Sequence, residues 1–193
     1  YCLSVYNSEG VEYDPPKDKI MGLEIVRSST PTIVRKKLKE AVNIILNKDN
    51  DDLIEYVASF KEMWVKLPYN QIAFPRGINN LMKYYTGGAF AKKTPIHVKA
   101  ALTYNYLLQK HNVDGYEPIK DGDKIKFLYL YEPNLANNNS IAFFDTIPKE
   151  FGIDKFIDYN TMLEKTFLAP LRKITGIIGW RVEVKASLED LWA

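Results

Sequence analysis

The chain begins with period-two alternation and then switches to helical spacing. Tyr1-Cys2-Leu3-Ser4-Val5-Tyr6 reads as a strand, Asn7-Ser8-Glu9-Gly10 as a hairpin turn and Val11-Glu12-Tyr13 as the return strand. Asp14-Pro15-Pro16 breaks the pattern, and residues 19–26 predict a further strand with Gly22 as a bulge or close-approach point. Thr30 is then the expected N-cap and Pro31 the first residue of a helix that carries Val34, Leu38, Ala41 and Ile45 on one face. Asn50 or Asp51 is expected to cap a second helix, with Leu53, Val57, Phe60, Trp64 and Leu67 as its buried stripe. The short polar loop between the two predicts an antiparallel pair.

Thr94-Pro95 repeats the cap-plus-proline signal and opens a helix to about His111, with Val98, Ala101, Leu102 and Leu108 inward. Residues 122–131 predict a strand after an Asp121-Gly122 turn, and residues 133–140 an exposed, mobile loop. A helix over 160–174 and a short strand over 180–185 complete the reading, with no internal repeat. The class is α+β and mostly helical. A strand at the first residue, with no initiator Met, suggests a piece of a longer chain.

Composition narrows the class without naming a function. At 193 residues, 46% hydrophobic and 13% aromatic, the chain can bury a sizeable core and is not a disordered tail. One cysteine, Cys2, excludes an internal disulfide and a cysteine-based zinc site, and fits a reducing compartment. No apolar run approaches ~18 residues and no signal-peptide pattern opens the sequence, so the expectation is a soluble intracellular protein with no membrane partner.

Charge adds more. With 24 acids in 193 residues, about six would be expected between Glu62 and Asp114, yet that interval holds none. It carries Lys66, Arg76, Lys83, Lys92, Lys93, Lys99 and Lys110 instead, among the small or neutral donors Asn79, Asn80, Tyr84, Tyr85, Gly87, Gly88 and Thr94. The pattern reads as a surface for a polyanion, although a solvated basic face has the same composition. Net charge is only +2, because the acids gather elsewhere, chiefly at Asp49, Asp51, Asp52 and Glu55 and between Asp114 and Asp123.

The dispersed residues Lys19-Ile20-Met21-Gly22-Leu23-Glu24, Ser28-Ser29-Thr30-Pro31, Asn79-Asn80, Lys83-Tyr84, Gly87-Gly88, Pro95-x-His97, Leu102-Thr103-Tyr104-Asn105, Asp158-Tyr159 and Leu163-Glu164-Lys165-Thr166-Phe167 carry a resemblance. In order and spacing they resemble the C-terminal part of the replicative family B DNA polymerase of T-even-type bacteriophages. The resemblance implies that residues 1–26 are the last strands of the palm, 27–185 the thumb and 186–193 a tail that binds the sliding clamp. It implies a part of a DNA-directed DNA polymerase, working in the cytoplasm of an infected bacterial host, whose partners are primer–template duplex, the clamp and the remaining polymerase domains.

The same resemblance places Tyr1, Arg27, Lys83, Tyr84, Lys93, His97, Lys99 and Lys165 at or next to positions that face the duplex. Arg27 stands where a lysine is usual, Arg76-Gly77 replaces a Ser-Ser pair, and Ala169 takes the place of a further lysine. The two metal-binding aspartates of such enzymes lie upstream, so Mg2+ belongs to the complete polymerase. This stretch is expected to supply no catalytic residue, metal ligand or cofactor site, and to be inactive alone.

From the residues themselves, a surface that holds duplex of any sequence should contact phosphates and the minor groove. His97 equally fits a packed core position, and His111 a helix end. The tail residues Leu188, Leu191 and Trp192 fall on one side of a single helical turn, the form of a peptide that docks in an apolar pocket or folds back on its own domain. A stand-alone, non-enzymatic nucleic-acid-binding protein and a small enzyme with an unseen site remain as alternatives.

Overall fold

The structure, a computed structural model, describes residues 24–85, 90–91 and 93–184. The strands expected over residues 1–13, the bulge at Gly22, the Gly87-Gly88 turn, Tyr1, and Leu188, Leu191 and Trp192 lie outside the described residues. Glu24–Val26 forms a 3-10 turn, which corrects the expected end of a strand. The Arg27 N–H donates to the Glu24 carbonyl at 3.3 Å and its guanidinium pairs with the Glu24 carboxylate at 2.9 Å. Contacts three residues apart close a turn and are out of reach along an extended strand.

Helix α1 spans Thr32–Asn47 and begins one residue later than expected, with Pro31 as its cap. Thr30 is buried and does not cap. Pro31 sits at φ −54 and ψ 143, and its carbonyl accepts the Arg35 N–H at 3.0 Å. A proline's fixed φ suits the residue before the helix as well as the first residue within it, which is why the sequence signal was one position early. Val34, Leu38, Ala41 and Val42 are buried, and Ile45 only partly so.

Helix α2 spans Asn50–Trp64, and its cap is Asp49, not Asn50 or Asp51. The Asp49 carboxylate accepts the N–H groups of Asp51 and Asp52, each at 3.0 Å. Asn50 is engaged elsewhere: its amide donates to the Arg181 carbonyl at 2.7 Å and accepts the Arg181 N–H at 3.1 Å. The Tyr56 hydroxyl donates to Glu40 at 2.8 Å, and the Lys37 ammonium lies 5.9 Å from the Phe60 ring centre. Later residues of α1 thus meet earlier residues of α2, as an antiparallel pair requires.

After α3 (Tyr69–Ile72), strands β1 (Phe74–Gly77), β2 (Lys124–Tyr129) and β3 (Ser140–Phe143) build a three-stranded antiparallel sheet in the order β1-β2-β3, with helix α4 (Ile96–His111) between β1 and β2 in the chain. β1 and β3 were not anticipated. Each has only four residues, β1 contains Pro75, which an edge strand tolerates, and β3 is buried throughout and so shows no alternation. Helix α4 packs on the sheet, where Ala100 and Ala101 on the helix and Ser140 and Ala142 on β3 are buried and small enough for close approach. Pro95 caps α4 as Pro31 caps α1, and the Thr94 hydroxyl turns back to the Ala91 carbonyl at 2.6 Å instead of capping. At the far end Asn112 takes the left-handed conformation (φ 47), and the Val113 N–H closes on the Leu108 carbonyl at 3.1 Å.

Residues 133–140 are anchored, against the expectation of an exposed mobile loop. Asn134 and Asn138 are buried; Asn134 donates to the carbonyls of Tyr131 and Asn138, and Asn138 donates to the Thr103 hydroxyl of α4. Asparagine amides both donate and accept, so a polar run can satisfy a tight loop's own backbone.

The last helical run comprises α5 (Tyr159–Leu163), a π segment at Glu164–Leu168 and α6 (Ala169–Thr175). Asp158 caps it by accepting the Thr161 N–H at 2.8 Å. Pro170 has no N–H to return to the Thr166 carbonyl, and the ladder widens: the Ala169 N–H reaches the Glu164 carbonyl five residues back. The expected strand over 180–185 is absent from its described part, residues 180–184. Those residues lie along α2 and α6, where the Glu183 carboxylate takes both Lys61 and Arg172. Trp64, Phe60 and Phe167 join edge to face in the core, which runs without a break from α1 and α2 to α4 and the sheet.

Candidate nucleic-acid interface

Alternation along β1 and β2 sets Phe74, Arg76, Phe127 and Tyr129 on one face of the sheet. Phe74 and Phe127 are cross-strand partners whose rings stack at 5.1 Å, and Tyr129 lies 5.9 Å from Phe127. The Arg76 guanidinium sits 5.6 Å from the Phe74 ring centre and donates to the Ser29 carbonyl at 2.9 Å and the Pro75 carbonyl at 3.0 Å. From the π segment, the Lys165 ammonium comes within 5.2 Å of the Tyr129 ring centre. From the first turn of α4, the His97 ring lies 6.4 Å from Phe127. Four elements distant in sequence thereby set two cations, an imidazole and a phenol around one aromatic row.

Their protonation follows from burial. Burial lowers the Arg76 pKa, partly offset by Tyr129 and Glu24, yet a guanidinium starts so high that it stays charged. Burial, and after it the charge of Arg76, hold His97 below its ordinary value of 6.5, so it is neutral at pH 7. Burial raises Tyr129, which keeps its hydroxyl proton. The cluster can offer an anion two positive charges and an O–H donor, while His97 adds no charge at neutral pH.

A second group surrounds the 3-10 turn Leu81–Tyr84 and the start of α4. Lys83 lies 5.8 Å from the centre of the Tyr84 ring. The Ala91 N–H donates to the Tyr84 carbonyl at 3.1 Å, which brings Lys93 to the same neighbourhood. Lys93 holds the left-handed conformation (φ 64), and Lys99 lies 6.0 Å from the Phe90 ring centre. Six ion pairs form among the described residues, and none uses Lys83, Lys93, Lys99, Lys165 or Arg76. Arg27 differs, because it is paired with Glu24, and it joins the sheet group through Ser29, whose carbonyl holds Arg76.

The gap in acids along the sequence is not a gap in space. The Asp121 carboxylate accepts the Leu81 N–H at 2.7 Å and so stands at the base of the turn that carries Lys83, while Glu24 approaches Arg76. Tyr129, Phe74 and Phe127 were missed by sequence reasoning. The alternation Ile125-x-Phe127-x-Tyr129 was the available signal, but it does not say which strand lies opposite. Among the described residues no three His, Cys, Asp or Glu side chains converge to hold a metal.

No protein-family model matches the chain. Over its whole length it is similar to the DNA-directed DNA polymerase of Escherichia phage RB69, at 37% identity, and to the DNA-directed DNA polymerase of Enterobacteria phage T4, at 34% identity. It spans 22% of the length of each. A DNA polymerase 1 of Sulfurisphaera ohwakuensis is 25% identical over 86% of the chain, which spans 18% of that protein. The resemblance to T-even-type phage polymerases drawn from dispersed motifs therefore extends across the entire chain.

Proposed function

We propose that this chain is the thumb, with the adjoining edge of the palm, of a phage-type DNA-directed DNA polymerase, and that it grips primer–template duplex through phosphate and minor-groove contacts. The observation that carries the reading is the set Lys83, Lys93, Lys99, Lys165 and Arg76, cations with no carboxylate partner among the described residues, on a chain whose whole length is similar to polymerases. Lack of an ion pair alone would not distinguish them, since on α1 only Lys37 is paired among the described residues, with Glu40 at 2.7 Å, and Lys36 and Lys39 are not; what adds to it is that Arg76, Lys83, Lys99 and Lys165 each stand against an aromatic ring. Cations left unpaired and backed by aromatic rings are ready to take phosphates without first breaking an ion pair.

Nucleotidyl transfer and its Mg2+ belong to the remaining polymerase domains, and the 193-residue chain alone incorporates no nucleotide. In the cytoplasm of an infected bacterial host, Leu188, Leu191 and Trp192 dock the sliding clamp. Fluorescence anisotropy with labelled duplexes of unrelated sequence tests the grip. Equal affinities that fall steeply with salt support it, whereas salt-independent or strongly sequence-selective binding refutes it. For the tail, a peptide of residues 185–193 should bind the ring-shaped clamp of the same phage, and Trp192→Ala should weaken it at least about tenfold.

A further inference from the structure

The outer side of α4 carries a second feature, which borders the duplex grip and shares Lys99 with it. A cavity of about 510 Å³ lies between that helix, the 3-10 turn Leu81–Tyr84 and the loop around Leu135. Large apolar side chains line it and stay exposed: Met82 at 70%, Tyr106 at 57% and Tyr85 at 48%, together with Phe90 and Leu135. Monomeric surfaces rarely leave so many large apolar groups side by side without a use for them.

Two properties say what fits there. The aromatic faces are accompanied by cations: Lys110 stands 5.9 Å from the Tyr106 ring centre, and Lys99 stands 6.0 Å from that of Phe90. Among the described residues no carboxylate lines the cavity, and its remaining polar groups are side-chain amides and a hydroxyl, among them Gln109 and Asn137. Lys99, Tyr106 and Lys110 follow one stripe of α4 and span roughly 16 Å along its axis, enough for a few nucleotides. An occupant must be flat and apolar where it meets the rings and negative where it meets the lysines. Bases on a phosphate backbone have that combination, and duplex does not, because its bases are already stacked.

We propose that this groove holds single-stranded nucleic acid, with unpaired bases on Tyr106, Tyr85 and Phe90 and phosphates beside Lys99 and Lys110. The site shares Lys99 with the duplex grip, but its Tyr106 and Lys110 belong to neither the sheet face of Phe74, Phe127 and Tyr129 nor the group around Lys83, so it does not rest on the duplex reading. The 193-residue chain should bind labelled oligothymidylate, and Tyr106→Ala should weaken that binding about fivefold or more with little change in its salt slope. Tyr106→Phe keeps the ring and should restore it, whereas Lys110→Gln should lower the salt slope. Tyr106→Ala should leave the affinity for blunt duplex unchanged, which separates this site from the duplex grip. Because Tyr106 is exposed, the variant should keep the parental circular dichroism spectrum and melting temperature. Equal oligothymidylate affinity in the parent and Tyr106→Ala would overturn the proposal. So would self-association, read by sedimentation, that Tyr106→Ala abolishes while oligothymidylate fails to bind; the groove would then be a face for a second copy of the chain.

Discussion

Replacing Lys83, Lys93 and Lys165 together by glutamine removes three positive charges and leaves each side chain's length nearly unchanged. None of the three forms an ion pair among the described residues, and all are exposed, so no buried carboxylate is stranded by the change. The largest structural loss is the Lys165 contact with the Tyr129 ring, on the order of 0.5–1 kcal/mol at an exposed site. For a chain of this size that is a fall in melting temperature of no more than about 4 °C. The effect on duplex binding is much larger. If each lysine neutralises one phosphate, the slope of log K against log salt should become shallower by about 0.9 per residue, or roughly 2.7 in all. Between 50 and 150 mM salt, a threefold range, the parent should then lose roughly twentyfold more affinity than the variant loses. Anisotropy titrations at four or five salt concentrations, with a melting curve for each protein, measure both quantities. An unchanged slope at unchanged stability would mean that these lysines do not face the duplex.

His97 binds its proton more weakly in the folded chain than in the unfolded one, so the unfolded state protonates first as pH falls below about 6.5 and stability declines toward the folded value. His97→Gln should flatten the fall in melting temperature between pH 7.5 and 5.5, and an equal fall in both proteins would exclude His97 as its source. Glu183 has the opposite sign. Hydrogen bonds from Lys61 and then Arg172, against the cost of burial, hold its carboxyl below the ordinary 4.5, so its contribution is present above that value and lost as pH falls through the lowered one. Glu183→Gln should cost less than about 1 kcal/mol near pH 7, since the pair is partly exposed, and nothing measurable near pH 2 by urea titration. Asn138→Ala empties a buried site and leaves the Thr103 hydroxyl without that donor, so chemical denaturation should read a loss of about 1–3 kcal/mol. A loss under 0.5 kcal/mol would mean that the loop is not anchored through this amide.

Helices were legible because their signal is periodic and local. The buried stripe Leu53, Val57, Phe60 and Trp64 of α2 stands where its spacing put it. Helix starts were legible only to within one residue, because Pro31 and Pro95 satisfy two adjacent roles and a threonine beside a proline has other uses for its hydroxyl. Short strands were not legible. β1 and β3 owe their existence to partners distant in sequence, and four residues are too few to display a period. Lys83, Lys93, Lys99 and Lys165 could be named from sequence, but the aromatic row that groups Lys165 with Arg76 and His97 depends on strand register. Register also explains why Asp121 returns to the base of a basic turn that looked free of acids.

The paired anchorage of Glu183 fixes more than the end of a helix. With its carboxylate held by Lys61 of α2 and Arg172 of α6, it defines a launching point on the surface for whatever follows in the chain. Three residues stand between Val184 and Leu188, and the four steps they make span at most about 14 Å even when fully drawn out. Under the proposed docking, a ring captured by Leu188, Leu191 and Trp192 would be leashed within that distance of the α2–α6 side of the molecule. Lengthening this leash with flexible residues should leave the strength of a single capture unchanged while diluting the local concentration of the captured partner at the rest of the protein.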